Sequence, residues 1–149
     1  MATLTTTITE SVTINGALRG SSNTLTVTDI VDTFERVVTC PNAATTTIAI
    51  FASNVYDSAG AIDAENVRYI RVSNLSTTAD IEIGVAGAAS NYSMLIPAGN
   101  SHIISRADNV MLAETDTAPT YGSLADITKL EVRPTASTSV NVEIFVATV

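Results

Sequence analysis

Residues 3–14 alternate without a break between two kinds of side chain. The odd positions all carry hydroxyl groups, and the even positions are apolar except for Thr6 and Glu10. Because successive side chains of a β-strand point to opposite faces of a sheet, a period of two over twelve residues predicts a long strand. Asn15 and Gly16 follow directly, and both residue types accept the positive φ angles of a tight hairpin turn.

The rest of the chain repeats this pattern in shorter pieces separated by turn residues. Further strands are predicted at 24–28, 34–40, 45–52, 67–74, 80–85, 92–96, 102–105, 110–113, 127–133 and 139–148. Turns are predicted at 20–23, 40–42, 97–100 and 118–119, and the only helical turn is predicted at 122–126. Many short strands with this punctuation predict an all-β fold, a single antiparallel β-sandwich domain of jelly-roll type spanning residues 1–149. Strands should hold over a third of the residues and helices under about a tenth.

Charge limits the kinds of partner. Only 15% of the 149 residues are charged, and the net charge is −8 with a pI of about 4.3. Nucleic-acid binding needs a basic stripe that displaces counterions, and an anionic membrane surface attracts basic segments, so neither partner is expected. No apolar run reaches the length of a membrane span. Cys40 is the only cysteine and is expected to be a buried structural thiol.

Few residues suggest chemistry. His102 is the only histidine, and it lies within a predicted strand without a nucleophile that it could activate. Asp57, Asp63 and Glu65 lie in the longest irregular stretch, residues 53–66, and a cluster of carboxylates is what Ca²⁺ binds. Their spacing does not match an EF-hand loop, and a solvated acidic loop is the simpler interpretation. The prediction is therefore a protein that is not an enzyme and has no catalytic residue, cofactor or metal.

Three motifs in residues 63–105 resemble a pattern in small virion structural proteins of tailed bacteriophages. They read NVRYIRVSNL at 66–75, IEIG at 81–84 and LIPAGNSHII at 95–104. The resemblance covers under a third of the chain. It implies a virion location and a β-sandwich that serves as a capsid decoration (cement) protein or as a tail or fibre component. It carries over no catalytic residue.

The favoured function is a capsid decoration protein that forms homo-oligomers and binds the major capsid protein or other virion proteins. The alternative within the virion is a tail, fibre or spike component that contacts the host. Exposed aromatic residues on a loop would favour this alternative, and Tyr56 and Tyr121 are the candidates. A third possibility from another class is a small calcium-binding lectin or hydrolase, with the ion in the loop at 53–66.

The N-terminal segment is the predicted attachment device. A strand over residues 4–14 would extend about 35 Å, which exceeds what a small sandwich covers easily. Residues 2–14 are therefore predicted to be an N-terminal strand or arm, with residues 2–9 reaching a neighbouring copy or the major capsid protein. Leu4, Thr6 and Ile8 are the predicted interface residues. The alternative is that the strand bends across a corner of its own sandwich.

Overall fold

The computed structural model describes residues 1–53, 60–87, 91–105 and 127–149. Strands account for 71% of these residues, and the described ranges hold no α-helix, which confirms the all-β prediction. The strands are β1 (Ala2–Thr9), β2 (Val12–Ile14), β3 (Ala17–Arg19), β4 (Ser22–Ile30), β5 (Asp32–Cys40), β6 (Thr46–Ala52), β7 (Ile62–Asp63), β8 (Val67–Asn74), β9 (Ile81–Gly87), β10 (Asn91–Ile96), β11 (Ser101–Ser105), β12 (Ile127–Pro134) and β13 (Val140–Thr148). A single 3-10 turn, Ala64–Asn66, precedes β8.

Two sheets enclose the main core. One sheet has four strands in the order β11-β8-β13-β5, and the other has five in the order β10-β9-β12-β6-β7. All pairings are antiparallel except the short contact between β6 and β7. Two sheets packed around one apolar layer agree with the predicted β-sandwich, whereas the jelly-roll connectivity stays a prediction.

Alternation in β13 shows how the sequence builds this core. Val140, Val142, Ile144 and Val146 are at most 3% exposed and point between the sheets, as their period-two spacing predicts. The facing sheet contributes Ile81, Ile83, Leu130 and Val132, which are fully buried. At about 25 cal/mol for each Å² of apolar surface removed from water, this layer is the main source of stability.

Polar turns close the strands where the sequence predicts them. The Asn74 side chain ends β8 and accepts a hydrogen bond from the backbone N–H of Ser76 at 3.0 Å. Gly99 adopts φ 72°, and the Asn100 N–H donates to the carbonyl of Pro97 at 3.1 Å. A glycine at the third position of a turn favours this geometry, because it accepts a positive φ angle.

Two predictions near the N-terminus need correction. The strand predicted over residues 4–14 is divided into β1 and β2 at Glu10 and Ser11, and the turn predicted at 20–23 is wrong because β4 begins at Ser22. Gly20, with φ 127°, interrupts the strand without reversing it. The strand predicted at 110–113, the turn at 118–119 and the helical turn at 122–126 lie outside the described residues.

No helix in the described ranges is long and apolar enough to cross a membrane.

Candidate assembly interface

The first thirty residues form one long β-hairpin, called the arm below (residues 2–30). β1 pairs with β4, and β2 pairs with β3 around the Asn15-Gly16 turn, whose φ angles of 51° and 77° match the predicted hairpin turn. In every pair from Leu4–Val27 to Ile14–Ala17, the two residue numbers sum to 31. The register is therefore the same on both sides of the interruption. The Glu10 N–H still donates to the carbonyl of Ser21 at 2.8 Å across that interruption.

Only the base of the arm packs on the sandwich. Leu4, Leu25 and Val27 are half-buried against an apolar cluster that contains the buried Ile30, Tyr69 and Ala147. Tyr69 and Phe145 meet edge to face in this cluster, with ring centroids 6.1 Å apart. By strand register, both rings lie on the outer face of the four-stranded sheet, opposite the main core. The base of the arm therefore covers an apolar area that this sheet would otherwise expose.

A polar network borders that apolar area. Arg71 donates to Glu143 Oε2 at 2.8 Å and to Ser73 Oγ at 2.7 Å, and Ser73 lies 2.8 Å from Ser101 Oγ. These side chains satisfy one another on the same outer face. Covering these hydrogen-bonded polar side chains with apolar ones would remove them from water without a gain in apolar contact. The network therefore limits how far the arm can lie along its own sheet.

The remainder of the arm is not covered by any other described residue of its own domain. Residues 7–24 are all exposed, and they extend about 26 Å from the level of Thr7 to the turn at roughly 3.3 Å per residue. Ile8, Val12 and Ile14 are 48%, 51% and 55% exposed. By register these three residues share one face of the ribbon, called the apolar face below, with Leu4 at its base.

The opposite face of the ribbon carries hydroxyl groups, as the odd positions of the sequence predict. Its cross-strand pairs include Thr7 with Thr24, whose hydroxyl oxygens are 3.3 Å apart, and Thr9 with Ser22, at 3.1 Å. Hydroxyl pairs of this kind support a strand pairing and remain compatible with water. Leu18, paired with Thr13 near the tip, is the apolar exception on this face and is 73% exposed. Apart from this tip residue, the arm has one face suited to a partner and one suited to solvent.

The predicted interface residues fall at three levels of the arm. Leu4 packs in the cluster at the base, Thr6 is half-buried beside Leu25, and Ile8 lies beyond the sandwich and is exposed. The part without cover begins at Thr7 and includes β2, β3 and the first residues of β4. The sequence predicted residues 24–28 of the second strand but missed β3 and the first residues of β4, although the Asn-Gly turn followed by Ala17-Leu18 was a signal for β3.

Charge is distributed unevenly between arm and sandwich. Residues 1–28 hold one acidic and one basic side chain, Glu10 and Arg19, out of 15 acidic and 7 basic in the chain. The other 14 acidic and 6 basic side chains, which account for the net charge of −8, all follow residue 28. The arm up to that residue is therefore electrically neutral on an acidic protein, and another acidic molecule can approach it without repulsion.

Comparison with protein-family models, curated proteins and solved structures found no match to this chain.

Gly20 is the residue that most constrains the arm locally. A Cβ at this position would lie 2.0 Å from the backbone oxygen of Glu10, and φ 127° is unfavourable for any L side chain. We expect Gly20→Ala to unpair β2 from β3 and to leave the melting temperature of the sandwich unchanged within about 2 °C, because the sandwich makes no use of that segment. Amide hydrogen exchange of residues 12–19 should accelerate.

Gly16→Asn is the matched control, because a Cβ at Gly16 meets nothing within 4 Å and asparagine tolerates its φ of 77°. Equal exchange rates in the two variants would contradict the role assigned to Gly20.

The loop at 53–66, considered above as a calcium site and predicted to be a solvated acidic loop, is only partly described. Asp63 Oδ1 accepts a hydrogen bond from the Glu65 N–H at 3.1 Å, and Asp63 Oδ2 accepts one from Asn66 Nδ2 at 2.8 Å. Both oxygens thus cap the 3-10 turn, and Asp57 lies outside the described residues. In the part of the chain that the structure describes, no three His, Cys, Asp or Glu residues are grouped so that they could hold a metal ion.

The outer face of the five-stranded sheet has a shallow depression. Its volume is about 540 Å³, and small residues, Gly84, Ala86 and Ser93, contribute to its lining. Lys129 pairs with Glu131 beside it, at 2.7 Å. Tyr92 also lines the depression, and the two charged side chains of the depression pair with each other at the surface.

His102 lies in β11, as predicted, and its Nε2 is buried without a hydrogen-bond partner among the described residues. Cys40 ends β5 and is fully buried. Burial raises the pKa of the Cys40 thiol above its ordinary value, and a hydrogen bond with Thr46 offsets part of this rise.

We expect Cys40 to resist alkylation in the folded protein at pH 8, because a raised pKa lowers the thiolate fraction and burial blocks access. The same reagent should modify it completely in about 6 M guanidinium chloride, where the core is exposed. Mass spectrometry reads both outcomes. Rapid stoichiometric labelling without denaturant would contradict the placement of Cys40 in the core.

Proposed function

We propose that this chain is a virion structural protein of a tailed phage, a capsid decoration protein that binds the major capsid protein and stabilises the shell without catalysis. The observation that carries the proposal is the arm, whose residues 7–24 form two paired, exposed strands that no other described residue covers. An isolated two-stranded hairpin is marginally stable at best in water. A partner surface that covers the apolar face supplies the packing that this hairpin lacks.

The chemistry of the arm fits attachment to a protein shell. Exposed apolar side chains in one row mark a surface that is covered by another protein. In the part of the chain that the structure describes, β1 and β4 each pair on one side only, so their outer edges also offer backbone N–H and C=O groups to a partner strand. A reach of about 26 Å allows contact with a subunit next to the one on which the sandwich sits.

A second candidate, a tail, fibre or spike component, uses the same arm at a different place in the virion. The motifs at 66–75 and 95–104, which resemble virion proteins of both kinds, form β8, the end of β10 and most of β11, and β10 and β11 are edge strands of their sheets. These strands are common to both candidates and do not distinguish them. Location in the particle therefore separates the two candidates.

The proposal is tested by adding the purified protein to phage particles that were assembled without it. We expect the protein to sediment with the particles, to give regularly spaced density on the capsid shell by electron cryomicroscopy, and to raise the temperature at which the shells release DNA. Density confined to the tail would favour the second candidate. Failure to bind any part of the particle would contradict both.

A further inference from the structure

We infer that the partner of the apolar face is the arm of a second copy of this chain, packed face to face and antiparallel about a two-fold axis. The inference rests on the assembly role proposed above for the arm and adds the identity of the partner. It follows from the order of side chains along the apolar face and from the distribution of charge.

The apolar face is complementary to itself. Its exposed rows, read from base to tip, are Ile8 with Asn23, Glu10 with Ser21, Val12 with Arg19, and Ile14 with Ala17. A two-fold axis across the ribbon between the second and third rows places Ile8 of each copy on Ile14 of the other. The same axis places the row that holds Glu10 on the row that holds Arg19.

Rotation about this axis keeps each strand on its own side of the ribbon, so Glu10 lies over Val12 of the other copy and diagonally from Arg19, one strand spacing of about 4.8 Å to the side. This diagonal approach of opposite charges occurs twice. Sheets pack about 10 Å apart, a distance that a glutamate and an arginine side chain span together. Glu10 and Arg19 form no ion pair within the described residues of one chain. An isologous contact always repeats each interaction, so one complementary pair of residues gives two ion pairs.

The antiparallel arrangement also separates the acidic sandwiches. With the axis near residue 11, the level of Leu4 in one copy lies about 45 Å from that level in the other, at roughly 3.3 Å per residue. This distance exceeds the Debye length of about 8 Å at physiological salt several-fold, so the sandwiches do not repel each other. A parallel arrangement would place the two sandwiches, each with the full charge of −8, side by side.

The contact is small, and this sets the expected affinity. A ribbon about 10 Å wide and 26 Å long covers roughly 500–600 Å² in total, below the 1,200 Å² or more of a stable interface. The free protein is therefore expected to dimerise weakly, in the micromolar to millimolar range. On a shell, neighbouring copies are held close together, so the effective concentration of one arm near the next is high. The same weak contact can then link adjacent sites.

Charge reversal tests the pairing directly. Sedimentation of the full chain should show a dimer that forms with rising concentration, and Glu10→Arg or Arg19→Glu alone should weaken it more than tenfold, because each creates two like-charge contacts. An equimolar mixture of the two variants should dimerise again, since positions 10 and 19 of one variant then face opposite charges on the other. The double variant E10R/R19E should dimerise by itself as well. Each residue is exposed in the free chain, so circular dichroism and melting should be unchanged.

A full chain that stays monomeric up to about 1 mM, or a mixture that stays as monomeric as its components, would overturn the inference. Loss of the dimer on Leu95→Asp, on the outer face of the five-stranded sheet, would also overturn it by placing the contact elsewhere. If the chain stays monomeric but its binding to shells needs the arm, the inference fails and the proposed function stands. If the chain dimerises through the arm and no particle binds it, the proposed function fails and the dimer contact stands.

Discussion

Removing residues 8–13 together with residues 18–23 is expected to abolish binding to capsid shells while the sandwich stays folded. The deletion takes six residues from each strand, so Thr7 joins Ile14 and Ala17 joins Thr24 without a change of register, face or turn. Leu4, Leu25 and Val27 keep their places in the cluster at the base. We expect binding to fall at least a hundredfold, because the arm links neighbouring copies on the shell and the gain in effective concentration is lost with it.

Two finer variants accompany the deletion. In the full-length arm, Val12→Ser with Ile14→Ser should weaken binding about tenfold or more, because it removes apolar side chains from the centre of the contact. Val37→Ser is the matched control, since Val37 is 57% exposed on β5 and lies outside the arm. Shell binding by the deleted form at full strength, with its melting temperature preserved, would refute the role of the arm.

Asn74→Ala is expected to destabilise the sandwich by about 3–5 kcal/mol. The Asn74 side chain is 2% exposed, and its Nδ2 donates to the carbonyls of Ala79 at 2.8 Å and Ile96 at 3.2 Å. A buried polar group left without its partner costs about 1–3 kcal/mol, and alanine leaves two carbonyls and the Ser76 N–H in that state. Urea denaturation, with an unchanged dependence on urea concentration, measures the loss.

Asn141→Ala serves as the comparison. Asn141 also accepts a hydrogen bond, from Thr39 Oγ1 at 2.8 Å, but both residues are exposed, so water replaces the lost partner. Its cost should stay under about 1 kcal/mol. Equal losses for the two alanine variants would show that the Asn74 network does not hold the strand ends together.

Local features of this fold follow from the sequence. Period-two alternation located β6, β8, β9, β12 and β13 within one or two residues, because one face of each strand is buried in the core. Asn15-Gly16, Asn74 and Gly99 specify their turns through their own backbone preferences. Such features need no information from distant parts of the chain.

The order of the strands depends on distant contacts and was beyond the sequence pattern. β12 and β13 come last in the chain, yet each pairs on both sides within its own sheet. Alternation says which face of a strand is buried, and it does not say which strand lies beside it.

The alternation of side chains in β13 also indicates the apolar area that the base of the arm covers. β13 is apolar on both faces near its end, with Phe145 and Ala147 opposite Ile144 and Val146. A strand with two apolar faces needs a cover on each, and the second cover is the arm. The division at Glu10 and Ser11 had no comparable signal, because the alternation of side chains continues through it.

Hydrogen–deuterium exchange of the protein, free and bound to shells, tests most directly whether the arm makes the assembly contact. In the free protein, amides in residues 7–24 should exchange within seconds to minutes, while those of β8 and β13 stay protected. On shells, we predict that protection rises at least tenfold across residues 7–24 and changes little on the outer face of the five-stranded sheet. Protection gained on that face, with an arm that exchanges as fast as before, would contradict the account.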